Sequence, residues 1–129
     1  MIIQLPKILD ERGNLTFFES NNHVPFEIKR TYWIYDVPGG ETRGGHAFKK
    51  QNEFIIALSG SFDVVIHDGI AEKRTLLNRS YYGLLVPSMH WRSLENFSTN
   101  SLALIVSDIE YDLKDYIRDF DDFLLLKNG

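Results

Sequence analysis

Two short stretches carry the residue types that do chemistry. The first holds His46, Phe48 two positions on, Glu53 after four intervening residues, and Gly60 after six more. The second holds Pro87, His90, Arg92 and Asn96 within ten positions. Imidazole has an unperturbed pKa of about 6.5, so it can take up and release a proton near neutral pH. Arg92 is a permanent cation with a planar fork of donors. It suits a phosphate, or an oxygen that becomes an enolate. The Glu53 carboxylate either lies at an edge as a solvated charge or orients His46. The chemistry within reach is proton abstraction beside a carbonyl, with the developing oxyanion held by a cation.

These residues need strands to aim them. Side chains two apart on a strand share a face, so His46 and Phe48 point one way, and His90 and Arg92 point one way. With Arg92 turned into the interior, His90 follows, and the pocket then contains two histidines. The rest of the chain supplies strands in number. Apolar and β-branched runs at Ile2–Ile8, Leu15–Glu19, Ile28–Val37, Phe54–Leu58, Phe62–His67, Lys73–Leu77, Tyr81–Val86 and Leu102–Val106 are separated by turn residues. Phe54–Leu58 and Phe62–His67 are expected to pair around Ser59-Gly60-Ser61, and Asp68-Gly69 is a hairpin signal. Many short strands with regular turns predict a sandwich or small barrel. From Asp112 onward the spacing changes. Leu113, Tyr116, Ile117, Phe120, Phe123 and Leu124 fall on one face of a helix that Asp112 would cap.

Bulk properties exclude several classes. A chain of 129 residues is long enough for one core and too short for two. A net charge of -4 gives no electrostatic case for nucleic acid or an anionic membrane. Without cysteine there is no disulfide scaffold and no thiolate metal site. The first residues lack a signal-peptide pattern, and no apolar run has the length of a membrane span, which points to the cytoplasm.

The first stretch resembles the leading motif of the cupins, β-barrels whose three histidines and one glutamate bind a metal. The second resembles their other motif through Gly83, Pro87 and Asn96, with Met89 at a glycine position and Arg92 at a histidine position. Phe48 has no lone pair and Arg92 repels cations, so only His46 and Glu53 of such a ligand set remain. Two protein ligands rarely hold zinc or iron against water, so no bound metal and no cofactor are expected.

Over nearly its whole length the chain resembles the dTDP-4-keto-6-deoxyhexose 3,4-ketoisomerases, a family of metal-free bacterial cupins. The residues that carry the resemblance include Asp10-Glu11-Arg12-Gly13, Lys29-Arg30, Tyr32, Arg43-Gly44, His46-Ala47, Lys49-Lys50, Trp91 and Tyr116-Ile117-Arg118. The resemblance implies an all-β cupin jelly-roll barrel with a short C-terminal helical segment, formed by residues 1–129 as one domain. It implies a homodimer that exchanges strands near the N-terminus. The substrate would be a dTDP-linked keto sugar, on the route to amino sugars of lipopolysaccharide O-antigen. Moving its ketone from C4 to C3 requires proton removal at C3 and return at C4. His46 is then the expected base, with His90 as a second proton carrier. Arg43, Arg92 or Tyr32 would stabilise the enediolate. Arg30, Arg43 and Arg118 would hold the diphosphate, and Glu53 and Asn96 complete the substrate-binding set. Two other readings stand beside this one: a related epimerase that returns the proton to the same carbon, and a non-catalytic sugar-nucleotide-binding paralogue.

Overall fold

The computed structural model describes residues 1–129. Its twelve strands are β1 (Ile2–Gln4), β2 (Lys7–Ile8), β3 (Leu15–Thr16), β4 (Arg30–Ile34), β5 (Arg43–Phe48), β6 (Glu53–Ser59), β7 (Phe62–His67), β8 (Glu72–Leu77), β9 (Tyr82–Val86), β10 (Trp91–Glu95), β11 (Leu102–Ser107) and β12 (Tyr116–Ile117). One sheet has the order β1-β9-β6-β11-β4 and faces a second of order β12-β5-β10-β7-β8, while β2 and β3 form a separate two-stranded hairpin. All named strand pairs are antiparallel. The architecture is the expected jelly-roll barrel. No helix is long and apolar enough to cross a membrane.

Alternation along the strands builds the core. On β6, Ile55 and Ala57 point inward, and they meet Leu84 and Val86 of β9, Val64 of β7, Leu94 of β10 and Ile105 of β11 between the sheets. The opposite side of β6 presents Phe54 and Ile56, which are covered by Leu5, Val24 and Phe26 from the N-terminal segment. Both faces of this strand are therefore buried, which explains its unbroken apolar run.

β6 and β7 do not pair, contrary to the hairpin expected from their sequence. They belong to different sheets, and Ser59-Gly60-Ser61 carries the chain across. Gly60 adopts φ 68°, and a Cβ there would lie 2.6 Å from Ser98 Oγ and 2.8 Å from Ser101 Cα. The glycine at this motif position thus answers both a left-handed backbone and a close approach. The Asp68 turn does close a hairpin, between β7 and β8.

Two other expectations are corrected. Ile2–Ile8 is not one strand: Leu5 turns into the core and Pro6, which has no N–H to donate, separates β1 from β2. The C-terminal helical face is also broken. Asp112 caps only a 3₁₀ turn, Leu113–Asp115, and Tyr116–Ile117 is strand β12. The helix α1 proper is Phe120–Asn128, with Asp119 accepting hydrogen bonds from the Asp121 and Asp122 amides. The cause of the break is Asp115. Its carboxylate accepts the Lys50 and Gln51 N–H groups at 2.9 and 3.0 Å, which binds the turn to the loop after β5. α1 then lies over the outer face of β5, burying Phe123 against Ala47 and Ile117.

Candidate active site

The barrel is apolar at one end and polar at the other. Inward positions of four strands supply the polar end: Tyr32 on β4, His46 on β5, Glu53 on β6 and Arg92 on β10. In the antiparallel register Arg92 stands opposite His46, and Tyr116 of β12 stands opposite Phe48. A Cβ on Gly44 would lie 2.6 Å from Arg92 Nη1, and Gly44 has φ 79°, so a side chain there would both strain the backbone and displace the guanidinium.

Arg92 is only 1% exposed, and its charge is met by Glu53, which is fully buried. Arg92 Nε and Nη2 both lie 3.0 Å from Glu53 Oε1, while Nη2 also donates to the Tyr32 hydroxyl at 2.9 Å. The Tyr32 hydroxyl donates in turn to Glu53 Oε2, which also accepts from Gln51 Nε2 at 2.9 Å. Gln51 Oε1 accepts from Arg30 Nη2 at 3.4 Å. Burial is the largest influence and disfavours the Arg92 cation, but Glu53, Tyr32 and Tyr116 together more than offset it, so the Arg92 pKa is held above the usual value. Burial pushes the Tyr32 phenol well above its usual range against the opposing pull of Arg92, so Tyr32 keeps its proton. Arg92 Nη1 has one partner, the Gly44 carbonyl at a long 3.4 Å.

His46 has a different setting. Its ring packs edge-on to Phe48 with centroids 4.9 Å apart and tilts against Tyr116 at 5.2 Å. Its Nε2 is buried and has no hydrogen-bond partner. Burial, followed by the charges of Arg92, Arg118 and Arg30, lowers its pKa from 6.5 to about 3. The imidazole is therefore neutral at physiological pH and able to accept a proton. The near-neutral pKa expected from sequence is corrected: a desolvated ring among cations gives up its proton more readily.

His46 and Arg92 line a cavity of about 540 Å³ together with Tyr32, Arg43, Tyr116 and Arg118. Arg118 lies over the Tyr116 ring, 4.5 Å from its centroid, and Arg30 lies over Tyr32 at 4.7 Å. Arg30 Nε is buried and without a partner. The cavity thus joins one neutral base to several cations and suits an anionic substrate with an acidic C–H bond.

Other predicted site residues lie elsewhere. His90 does not enter this cavity. Its Nδ1 sits 3.0 Å from the Ser88 carbonyl, and its ring lines a separate cleft with Asp68 and Lys73. Two-residue alternation holds only inside a strand, and β10 begins at Trp91, just after Met89 turns the chain at φ 56°. Met89 thus keeps the left-handed backbone that a glycine would supply there. Asn96 is exposed and takes up another left-handed turn, φ 54°, at the end of β10. Glu53 orients Arg92 and Tyr32, and makes no bond to His46. Gln51 and Tyr116 were not singled out as site residues from sequence. The residues at the metal-motif positions do not fit a metal: the Glu53 carboxylate is occupied by Arg92, Tyr32 and Gln51, and no group of three or more potential ligands converges.

Comparison with known proteins accounts for this arrangement. The family model described as FdtA, WxcM-like, C-terminal, matches residues 1–128. The TDP-4-oxo-6-deoxy-α-D-glucose-3,4-oxoisomerase of Aneurinibacillus thermoaerophilus is 38% identical over 122 residues, covering 95% of this chain and 88% of that protein. A 3,4-ketoisomerase from Helicobacter canadensis superposes with a TM-score of 0.97 at 37% identity, covering 100% of this chain and 97% of that one. The sugar 3,4-ketoisomerase QdtA of Thermoanaerobacterium thermosaccharolyticum, solved with TDP, gives 0.96 at 33% identity, covering 99% and 93%. With a neutral imidazole facing cations in a jelly-roll barrel and likeness along its full length, the chain belongs to the dTDP-4-keto-6-deoxyhexose 3,4-ketoisomerases, isomerases that move a ketone between C4 and C3 of a nucleotide-linked sugar.

Proposed function

We propose that His46 is the base of this isomerisation and that Arg92 stabilises the oxyanion it creates. The observation that carries the reading is the buried, unpartnered Nε2 of His46, opposite Arg92 in the same cavity. Neutral His46 removes the proton at C3 of a dTDP-4-keto-6-deoxyhexose. The C–H electrons form the C3–C4 double bond, and the C4 carbonyl oxygen becomes an enolate oxygen beside Arg92 Nη1. The C3 hydroxyl proton passes to the C4 oxygen, the C3 oxygen forms the new C=O bond, and the electrons of the C3–C4 double bond take the imidazolium proton at C4, which leaves a hydroxyl at C4, a ketone at C3 and His46 neutral again. A preorganised cation in a water-poor site contributes most where charge develops. Tyr32 and Glu53 hold the Arg92 plane, and Arg30, Arg43 and Arg118 receive the diphosphate. That anion offsets two of the charges that depress His46, so its basicity rises when the substrate is in place.

Variants of QdtA support the assignment. One, with a histidine replaced by asparagine, was solved with TDP-4-keto-6-deoxyglucose; another, a double variant solved with TDP, replaces a tyrosine by arginine and an arginine by histidine. The substituted histidine and the substituted arginine are as far apart in that chain as His46 and Arg92 are in this one. The direct test is turnover of dTDP-4-keto-6-deoxyglucose by the wild type and by His46→Asn.

The working unit in this reading is a homodimer with N-terminal exchange. An isolated two-stranded hairpin is marginal in water. Here β2–β3 stands apart from both sheets with Ile8, Leu9 and Leu15 all more than half exposed. A second copy would cover them. Light scattering gives the mass; a monomer at micromolar concentration contradicts this part. A nucleotide-linked substrate also favours a cytoplasmic setting and a role in making cell-surface sugars such as those of the O-antigen.

A further inference from the structure

Gln51 is 1% exposed, yet its side chain carries a polar amide with both ends committed. Its N–H₂ donates to Glu53 Oε2 and its carbonyl accepts from Arg30 Nη2. The order is dictated by charge, since the amide oxygen faces the cation and the amide nitrogen faces the carboxylate. The backbone is held as firmly. The Gln51 N–H donates to Asp115 Oδ2 at 3.0 Å, and Asp115 begins the segment that delivers Tyr116 and Arg118 to the cavity.

We infer that Gln51 is a positioning residue for the ketoisomerase reaction, coupling the cation assigned to the diphosphate to the buried carboxylate that aims Arg92. The inference rests on the roles proposed above for Arg92 and Arg30. Glu53 has two oxygens with separate duties. Oε1 receives Arg92, whereas Oε2 receives Tyr32 and Gln51. Two donors on Oε2 fix the rotation of the carboxylate plane, and that plane sets where Arg92 Nη1 points. Without Gln51 the carboxylate keeps only Tyr32 on that side and can rotate toward it. Arg30 also loses its only side-chain acceptor. A displacement of about 1 Å in a catalytic group is enough for about a hundredfold loss of rate.

Two substitutions separate positioning from packing. Gln51→Met keeps the volume and removes both bonds. Its expected effect is a kcat lower by about ten- to a hundredfold, with a KM for the sugar nucleotide raised several-fold as Arg30 is released. Gln51→Glu keeps the acceptor for Arg30 but sets a second carboxylate against Glu53. Protonation of the new carboxyl restores a donor to Glu53, so its activity relative to wild type should climb as pH falls from 8 to 5.5. Gln51→Met should show no such climb. The inference is overturned if Gln51→Met keeps wild-type kcat and KM. It is equally overturned if both variants lose activity only in proportion to folded protein, or if their pH profiles run parallel. Wild-type turnover measured alongside keeps the two readings distinguishable, because an inactive wild type refutes the proposed chemistry itself.

Discussion

His46 and Arg92 face each other across β5 and β10, one buried neutral base opposite one buried cation. The pairing has a double effect. Arg92 helps keep His46 unprotonated, and in the proposed mechanism it stands where the oxygen charge would appear once His46 has taken its proton. The ladder irregularity between Arg92 and Leu94 falls beside this pair, where bulges commonly re-aim a side chain.

The pH dependence of kcat/KM follows from that depression. His46 loses its proton at about 3 in the free protein, so its base form is complete throughout the neutral range. The expected profile is flat from pH 8 to below 6, with the acid limb far under 6.5. A limb centred at 6.5 would mean a solvated His46.

Stability responds with a definite sign. His46 in the unfolded chain binds its proton at about 6.5, and in the folded protein at about 3. Between those values the unfolded state binds more protons, so stability is complete above 6.5 and falls as pH drops toward 3, by up to about 1.4 kcal/mol per pH unit. Chemical denaturation at pH 7 and 4.5 should show a smaller acid loss for His46→Asn than for wild type. Equal losses would place the acid sensitivity on other groups.

Removing one partner of the Arg92–Glu53 pair should destabilise the fold strongly. Each side chain is essentially unexposed, and an unpaired buried charge costs about 3–5 kcal/mol. Glu53→Gln and Arg92→Leu should both lower Tm by many degrees. A change of a degree or two would mean that water reaches the pair.

Phe48→His should not raise turnover. Phe48 is buried between His46 and Tyr116, at 4.9 and 4.6 Å, and is absent from the lining of the cavity. An imidazole there would be desolvated beside His46 and have no path to the sugar. A tenfold gain in kcat would show that this position does reach the substrate.

The cations proposed for the diphosphate should separate binding from chemistry. A charge-assisted hydrogen bond contributes about 1.5–3 kcal/mol, so Arg118→Ala should weaken TDP binding by about ten- to a hundredfold, with less effect on kcat. Calorimetry with TDP reads this directly; unchanged affinity removes Arg118 from the diphosphate site.

Much of this was legible in the sequence. Apolar and β-branched runs such as Phe62–His67 and Leu102–Val106 were near their final bounds because both lie inside large sheets. His46 and Arg92 could be placed in one pocket because both sit within strands. His90 could not, since a left-handed Met89 resets the direction of the chain just before β10. Tyr116 was hidden by a helical apolar spacing that the buried Asp115 carboxylate interrupts. Gln51 carries no motif at all, and only the meeting of Arg30 and Glu53 in space identifies it.

Proton exchange at the sugar separates the base role of His46 from its alternatives. Wild type and His46→Asn are incubated with dTDP-4-keto-6-deoxyglucose in heavy water and followed by NMR. With wild type, deuterium should enter the ring and the ketone should move to C3; with His46→Asn neither should occur, although TDP binding is retained. Deuterium entry with inversion and no ketone migration would indicate an epimerase. No exchange by wild type would indicate a binding protein, and exchange by His46→Asn at the wild-type rate would contradict His46 as the base.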